Sequence, residues 1–362
     1  MADGGDDAGA RLRLIRTNGI GPVAYRQLLA RFGDAHAALA ALPMLARRGG
    51  GAPPVVPDAA VIDRERAHVD KLGARYLFLD EADYPPLLAQ IDTAPPVLVI
   101  RGDLRLAHRS CVAIVGARNA SAAACRFART LAHDLAAEGA SVVSGLARGI
   151  DTAAHQGSLA DGTIGVIAGG IDIVYPPENA ALQEEIATRG LLVAEQPPGT
   201  EPRARHFPYR NRIIAGLAAG TVVVEAVQKS GSLITARLAG ESGREVMAVP
   251  GSPLDPRAQG CNGLIRDGAT LIQTAADVLE QIRPIDARAV RSPGAHYGGP
   301  PPQDADDASR RVVTGLLGPV PVGVDEIVRQ SGRAPAIVQT VLLELELAGR
   351  LERHAGGRVS LT

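Results

Sequence analysis

Between residues 110 and 249 the chain repeats one pattern: a short apolar run, a turn of small residues, then an alanine-rich stretch of helical length. The runs are Ser110–Val115, Ser141–Ser144, Thr163–Ala168, Leu191–Ala194, Thr221–Glu225 and Arg244–Val249. Their centres are continuously apolar rather than alternating, so each is expected to be buried on both faces. Helices are expected between them: up to Gly139, over Asp151–Ala160 and Glu178–Thr188, up to about Gly220, and over Ser230–Ser242. Strands buried on both faces and joined by helices form a parallel sheet with a helical layer on each side. The fold class is therefore α/β, a Rossmann-like doubly wound parallel sheet. Pro95–Ile100 reads as one more strand before the main alternation.

Two clusters of breakers interrupt the chain. Residues 49–57 read GGGAPPVVP and residues 292–307 read SPGAHYGGPPPQDADD, both linker-like. The expected division is a SAM-like or helix-hairpin-helix unit over 9–70, the Rossmann-like domain over 71–284, a linker over 285–307 and a winged-helix-like unit over 308–362. In the first, Gly19-Ile20-Gly21 turns between two helical patterns; it is either a phosphate-binding hairpin or a plain corner. In the last, helices at Arg310–Leu317, Val324–Gln330 and Pro335–Ala348 precede a hairpin of Leu351–Arg353 and Arg358–Leu361. A groove-reading last helix should carry basic or amide side chains. This one offers Gln339 beside Glu344 and Glu346, which suits protein contact at least as well.

Aromatic residues make up 3% of the chain and Trp is absent, so the core must be built from Ala, Val, Leu and Ile. The net charge of −1 gives no global field to attract a polyanion, so any nucleic-acid contact must be a local patch. Cys111, Cys125 and Cys261 have no CxxC spacing and suggest neither a disulfide framework nor a metal site. No secretory leader pattern and no apolar run of membrane length is present, so the expected location is cytoplasmic.

One local patch stands out. His206-Phe207-Pro208-Tyr209-Arg210-Asn211-Arg212, with Arg203 and Arg205, sets four arginines against the single acid Glu201 and adds two rings. Guanidinium for phosphate and a ring face for a base suit a single-stranded nucleic acid. If a helix begins near Asn211, Arg210 and Arg212 point roughly 200° apart, so one binds phosphate while the other holds the turn.

The strand-end turns carry further anion-friendly groups. Gly116-Ala117-Arg118-Asn119-Ala120-Ser121 has one glycine where a dinucleotide fingerprint has three, and the next strand ends in Ser144-Gly145 rather than an acid. NAD is therefore disfavoured and no cofactor is expected, while Arg118 suits a phosphate. Arg148 is a second candidate. Asp151 is a plausible helix cap, and His155 shares its helix face, either as a proton-transfer pair or as structural hydrogen bonding. Glu195 and Glu225 end two strands and could be paired catalytic carboxylates or anchors for Arg210 or Arg212. Lys229-Ser230-Gly231-Ser232 opens a helix without a GxxxxGK[ST] motif. None of these turns holds a complete catalytic set.

Together these residues resemble the DNA-processing protein A family, DprA or Smf. The resemblance rests on Gly116-Ala117-Arg118, Ser144 to Asp151 with His155, and Gly169-Gly170-Ile171-Asp172 with Tyr175-Pro176. It continues through Phe207 to Leu217, Glu225, Ser230 to Leu233, Val249-Pro250-Gly251, and Gly260 to Ile265 with Gly268-Ala269. One departure is Ala117, where the family often has Ser or Thr. The resemblance implies a non-enzymatic protein that binds and protects single-stranded DNA in natural transformation, loads the RecA recombinase and forms a homodimer. The expected DNA contacts are Arg118, Ser144, Gly145, Arg148, Phe207, Arg210, Asn211, Arg212, Ser230 and Gly231, with Tyr209 as an alternative stacking ring. The competing readings are a nucleotide-processing Rossmann enzyme, whose PGGxGTxxE motif is absent, and a winged-helix transcription regulator.

Overall fold

The computed structural model describes residues 4–282, 303–354 and 356–362. The linker expected over 285–307 lies, up to residue 302, outside the described residues. The chain forms two compact units. One is Glu65–Pro293; the other joins the two ends of the chain, Met1–Arg64 and Gly294–Thr362.

The end-to-end unit begins with α1 (Gly4–Arg16), α2 (Pro22–Phe32) and α3 (Ala35–Arg48). Asp34 caps α3 by accepting from the Ala37 N–H at 2.8 Å. Helix α4 (Ala59–Lys71) leads out of this unit into the other.

The central unit contains β1 (Arg75–Phe78), α5 (Pro86–Ala89), β2 (Val97–Gly102), β3 (Cys111–Val115), α6 (Ala122–Ala137), β4 (Ser141–Ser144) and α7 (Ile150–Ser158). It continues with β5 (Thr163–Ile167), α8 (Ala180–Arg189), β6 (Leu191–Ala194), α9 (His206–Leu217), β7 (Gly220–Val223) and α10 (Gly231–Glu241). Strand β8 (Glu245–Ala248), α11 (Gln259–Arg266), β9 (Thr270–Leu271) and α12 (Ala275–Ile282) complete it. The sheet has nine strands in the order β1-β2-β6-β5-β4-β3-β7-β8-β9. From β6 to β9 all pairs are parallel, and the strand order reverses direction at β3, between β4 and β7. Cys111, Ala113 and Val115 enter the core on one face of the sheet while Val112 and Ile114 enter the core on the other. This is the burial on both faces that the unbroken apolar runs require.

Strand β2 departs from the parallel expectation, since it pairs antiparallel with both β1 and β6. The link from Gly102 to Cys111 explains the direction. It is eight residues long and must cross from the β6 side of the sheet to β3. A parallel β2 would end at the opposite edge from the start of β3, and a crossover back needs a dozen or more residues. Reversed, β2 ends where β3 begins, and the short link, five of whose residues form the 3-10 turn Leu104–His108, is enough.

The C-terminal elements are α13 (Asp307–Gly315), β10 (Val322–Gly323), α14 (Val324–Ser331), α15 (Pro335–Leu347), β11 (Leu351–His354) and β12 (Arg358–Leu361). They form a winged helix with a three-stranded sheet β10-β12-β11. Its last helix does not face solvent. Val338, Val341, Leu342 and Leu345 sit in the winged helix's own core, whereas Leu343 and Leu347 pack with Leu14, Leu28, Leu42 and Leu45 of α1–α3. Gln27 Nε2 donates to Gln339 Oε1 at 2.8 Å. Glu344, 1% exposed, accepts from Arg310 Nε and Nη2 at 2.8 and 2.9 Å. Asp304 bridges Arg31 and Arg48. Helix α15 is thus a protein contact within the chain.

The Gly49-Gly50-Gly51 run, expected as a linker, is part of this packing. A Cβ on Gly49 would lie 2.0 Å from the Glu344 carbonyl oxygen, and one on Gly51 2.4 Å from that of Ala348. These glycines let the end of α3 lie directly on the backbone of α15.

Candidate nucleic-acid interface

The C-terminal ends of β3, β4 and β5 open into a cleft of about 320 Å³. Ligands of open α/β sheets bind along this edge, beyond the carboxyl ends of the strands. One wall is the β3–α6 turn with Arg118 and Asn119, and the second is the β4–α7 turn with Gly145, Ala147 and Arg148. The third is the segment from Ile167 to Pro176. Phe207 and Arg210, from the first turns of α9, close it.

The first two walls are locked together. Gly149, at φ +75°, comes so close to the β3–α6 turn that a Cβ would lie 2.4 Å from the Ala117 carbonyl oxygen. The Ile150 N–H donates back to that oxygen at 3.3 Å. Arg118 and Arg148 therefore project from a fixed frame, and both are exposed. Ser121 caps α6, and its N–H and hydroxyl donate to the Glu225 carboxylate at 2.9 and 2.7 Å. Glu225 thus holds a turn instead of anchoring Arg210 or Arg212.

Arg210 lies beneath the cleft, 6% exposed. Its Nη1 donates to the carbonyl oxygens of Gly145 and of Val166, the latter at 2.5 Å. A Cβ on Gly145 would lie 2.4 Å from the Arg210 guanidinium, so a larger residue there would displace it. The missing side chain leaves room for this arginine. Burial pushes the Arg210 pKa down to about 10, with Asp151 opposing the shift. Asp151 accepts from the Gly145 and Ala147 N–H groups at 3.1 and 3.3 Å. It lies inside α7, whose cap is Gly149, so it is not the helix cap. Burial raises its pKa, against the pull of Arg210.

His155 does not pair with Asp151. Its Nδ1 meets Thr163 Oγ1 at 2.7 Å, and burial, reinforced by Arg210, lowers its pKa to about 3. It is neutral and structural. Arg212 is buried on another side of α9, with Nη2 donating to Glu195 Oε1 and Nη1 to the Thr93 carbonyl, each at 2.5 Å. Glu195 is accordingly an anchor for Arg212.

Of the residues expected to contact DNA, the structure brings Arg118, Gly145, Arg148, Phe207 and Arg210 to one cleft. Ser144 and Gly145 are not free donors: the Ser144 hydroxyl donates to the Ile114 carbonyl at 2.7 Å, and the Gly145 N–H is taken by Asp151. Asn211 ties α9 to α10 by donating to the Gly231 carbonyl at 3.2 Å. Arg212, Ser230 and Gly231 do not line the cleft.

At the mouth, the Arg118 guanidinium lies 5.1 Å from the centroid of the Phe207 ring. Phe207 also packs on Tyr175, with centroids 5.5 Å apart and planes tilted by 55°. Arg148 pairs with Glu178 in an exposed ion pair, an interaction of the class that contributes about 0–1 kcal/mol and yields readily to a phosphate. Arg118, Arg203 and Arg205 are exposed and form no ion pair among the described residues. Gly169, Ile173, Tyr175 and Pro176, which are not among the expected DNA contacts, form the third wall. Their Gly-Gly-Ile-Asp and Tyr-Pro pattern was visible. That Asp172 would pin the wall by accepting from the Gly199 N–H at 2.8 Å was not.

The profile of DNA recombination-mediator protein A matches residues 75–283. The chain belongs to this family. Its flanks agree: residues 5–67 match the DprA-like N-terminal HHH domain and residues 299–357 the DprA winged helix domain. Protein Smf of Synechocystis is 36% identical over 318 residues, covering 78% of this chain and 79% of the relative. Among solved structures, DNA processing protein A from Streptococcus pneumoniae is similar with a TM-score of 0.65 at 36% identity, covering 76% of this chain and 98% of that one. DNA processing protein A from Helicobacter pylori, described for a unique single-stranded DNA binding mode, is similar with a TM-score of 0.53 at 29% identity, covering 58% and 97%. Among the described residues no helix is long and apolar enough to cross a membrane.

Proposed function

We propose that this chain binds single-stranded DNA across the C-terminal edge of its parallel sheet, as a recombination mediator rather than an enzyme. The observation that carries the reading is the mouth of the cleft. There an exposed, unpaired Arg118 is stacked on a ring and set in a rigid glycine-locked turn beside Arg148. The single-stranded DNA binding described for the Helicobacter pylori relative supports the same reading. Arg118 and Arg148 take phosphates, with Arg203 and Arg205 extending the track. Arg210 and Arg212 hold the walls in place, and Ser144, Asn211, Ser230 and Gly231 shape the surrounding turns. Asp151 and His155 are buried and neither lines the cleft. Protection of incoming DNA, loading of RecA onto it and self-association as a homodimer belong to this reading.

Fluorescent single- and double-stranded oligonucleotides titrated across a salt series test it. The expected result is tighter binding of the single strand with a linear fall of log K against log salt. Preferential duplex binding would favour a winged-helix regulator, and binding of nucleotides but of neither oligonucleotide would favour a nucleotide-processing enzyme.

A further inference from the structure

Phe207 is engaged on its own ring by both Arg118 and Tyr175, so it is not a free platform for a base. Tyr209 is 57% exposed but does not line the cleft. Tyr175 does both: it lines the cleft and leaves 48% of its surface exposed.

We propose that Tyr175 is the base-stacking residue of the cleft and that Phe207 is its supporting ring. This rests on the single-stranded DNA reading above and adds to it the residue that receives a nucleobase. The physical case has three parts. A ring braced by a second ring, itself braced by a guanidinium, is ordered before the base arrives and loses little side-chain freedom on binding. The segment that carries it is fixed at both ends. Ahead of Tyr175, Asp172 accepts from the Gly199 N–H and the Ile173 carbonyl accepts from Gln183 Nε2 at 3.1 Å. Beyond it, Asn179 is buried and its Nδ2 donates to the Leu146 carbonyl at 2.8 Å. Finally, Arg118 lies within the same stack, so a phosphate held by Arg118 places its neighbouring nucleotide beside the Tyr175 ring.

Stacking requires a base, whereas charge pairing requires only the backbone. The test therefore compares an oligothymidylate with an abasic strand of the same length, on the full chain and on Tyr175→Ala, Tyr175→Phe and Tyr209→Ala. Tyr175→Ala is expected to weaken oligothymidylate binding about tenfold or more while changing abasic-strand binding less than twofold. Tyr175→Phe keeps the ring and should bind both strands like the parent, and Tyr209→Ala should also match it. Thermal melts of each variant check that the fold is kept. Equal loss on both strands, no loss on either, or the strand-selective loss appearing in Tyr209→Ala instead would overturn the assignment. A parent protein that bound neither strand would overturn the single-stranded DNA reading itself.

Discussion

Replacing Arg210 by alanine is expected to destabilise the central unit by about 3–5 kcal/mol, the loss typical of breaking a buried charged network from one side. The Gly145 and Val166 carbonyls would lose their shared donor, and Asp151 would lose its buried cationic neighbour. A void would also open against Gly145, whose backbone lies within van der Waals contact of the guanidinium. For a unit of this size the melting temperature should fall by roughly 10 °C. Arg210→Lys should not recover it, because a lysine ammonium lacks the planar, fixed fork that reaches both carbonyls. Melting curves with parallel oligonucleotide titrations check this. A variant that kept its melting temperature but lost DNA affinity would show Arg210 to be a DNA contact instead of a brace.

Gly49→Val should have a comparable effect in the end-to-end unit, about 3 kcal/mol or more. The clash is backbone against side chain, 2.0 Å from the Glu344 carbonyl oxygen, and no rotamer of the new residue relieves it. Hydrogen exchange should quicken in α3 and α15 together, since Leu42 and Leu45 share a core with Leu343 and Leu347. Gly315→Ala is the matched control, because nothing lies within 4 Å of a Cβ there. Faster exchange in α3 with α15 unchanged would contradict the shared core.

The central strands were legible because their chemistry is local. Ser141–Ser144 and Leu191–Ala194 are apolar enough to be strands from their own residues, and both have those bounds in the structure. The edge strands β1 and β9 were missed: four and two residues with an exposed member each carry too little pattern. The direction of β2 was also hidden, because it follows from the length of the link to β3 and from a strand order that no local window contains.

The arginines were harder to read for a related reason. The expectation of one phosphate ligand and one arginine held by Glu195 or Glu225 fits Arg212 with Glu195, but Arg210 is buried as well. Their partners are distant: the Gly145 and Val166 carbonyls for one, Glu195 and the Thr93 carbonyl for the other. Carbonyl acceptors leave no mark in composition. Arg118 and Arg148 were easier, since a cation in a turn between a buried strand and a helix has few internal places to go. The three glycines at 49–51 read as a linker because close approach and flexibility use the same residue type.

The most direct test of the central claim, that a single strand is held by cations at the cleft mouth, is the salt dependence of its affinity in the parent protein and in Arg118→Ala. The expected result is weaker binding to every sequence, an unchanged melting temperature, and a slope of log K against log salt shallower by about 0.7, the loss of one phosphate contact. A folded Arg118→Ala protein with the parent's affinity and the parent's slope would contradict it.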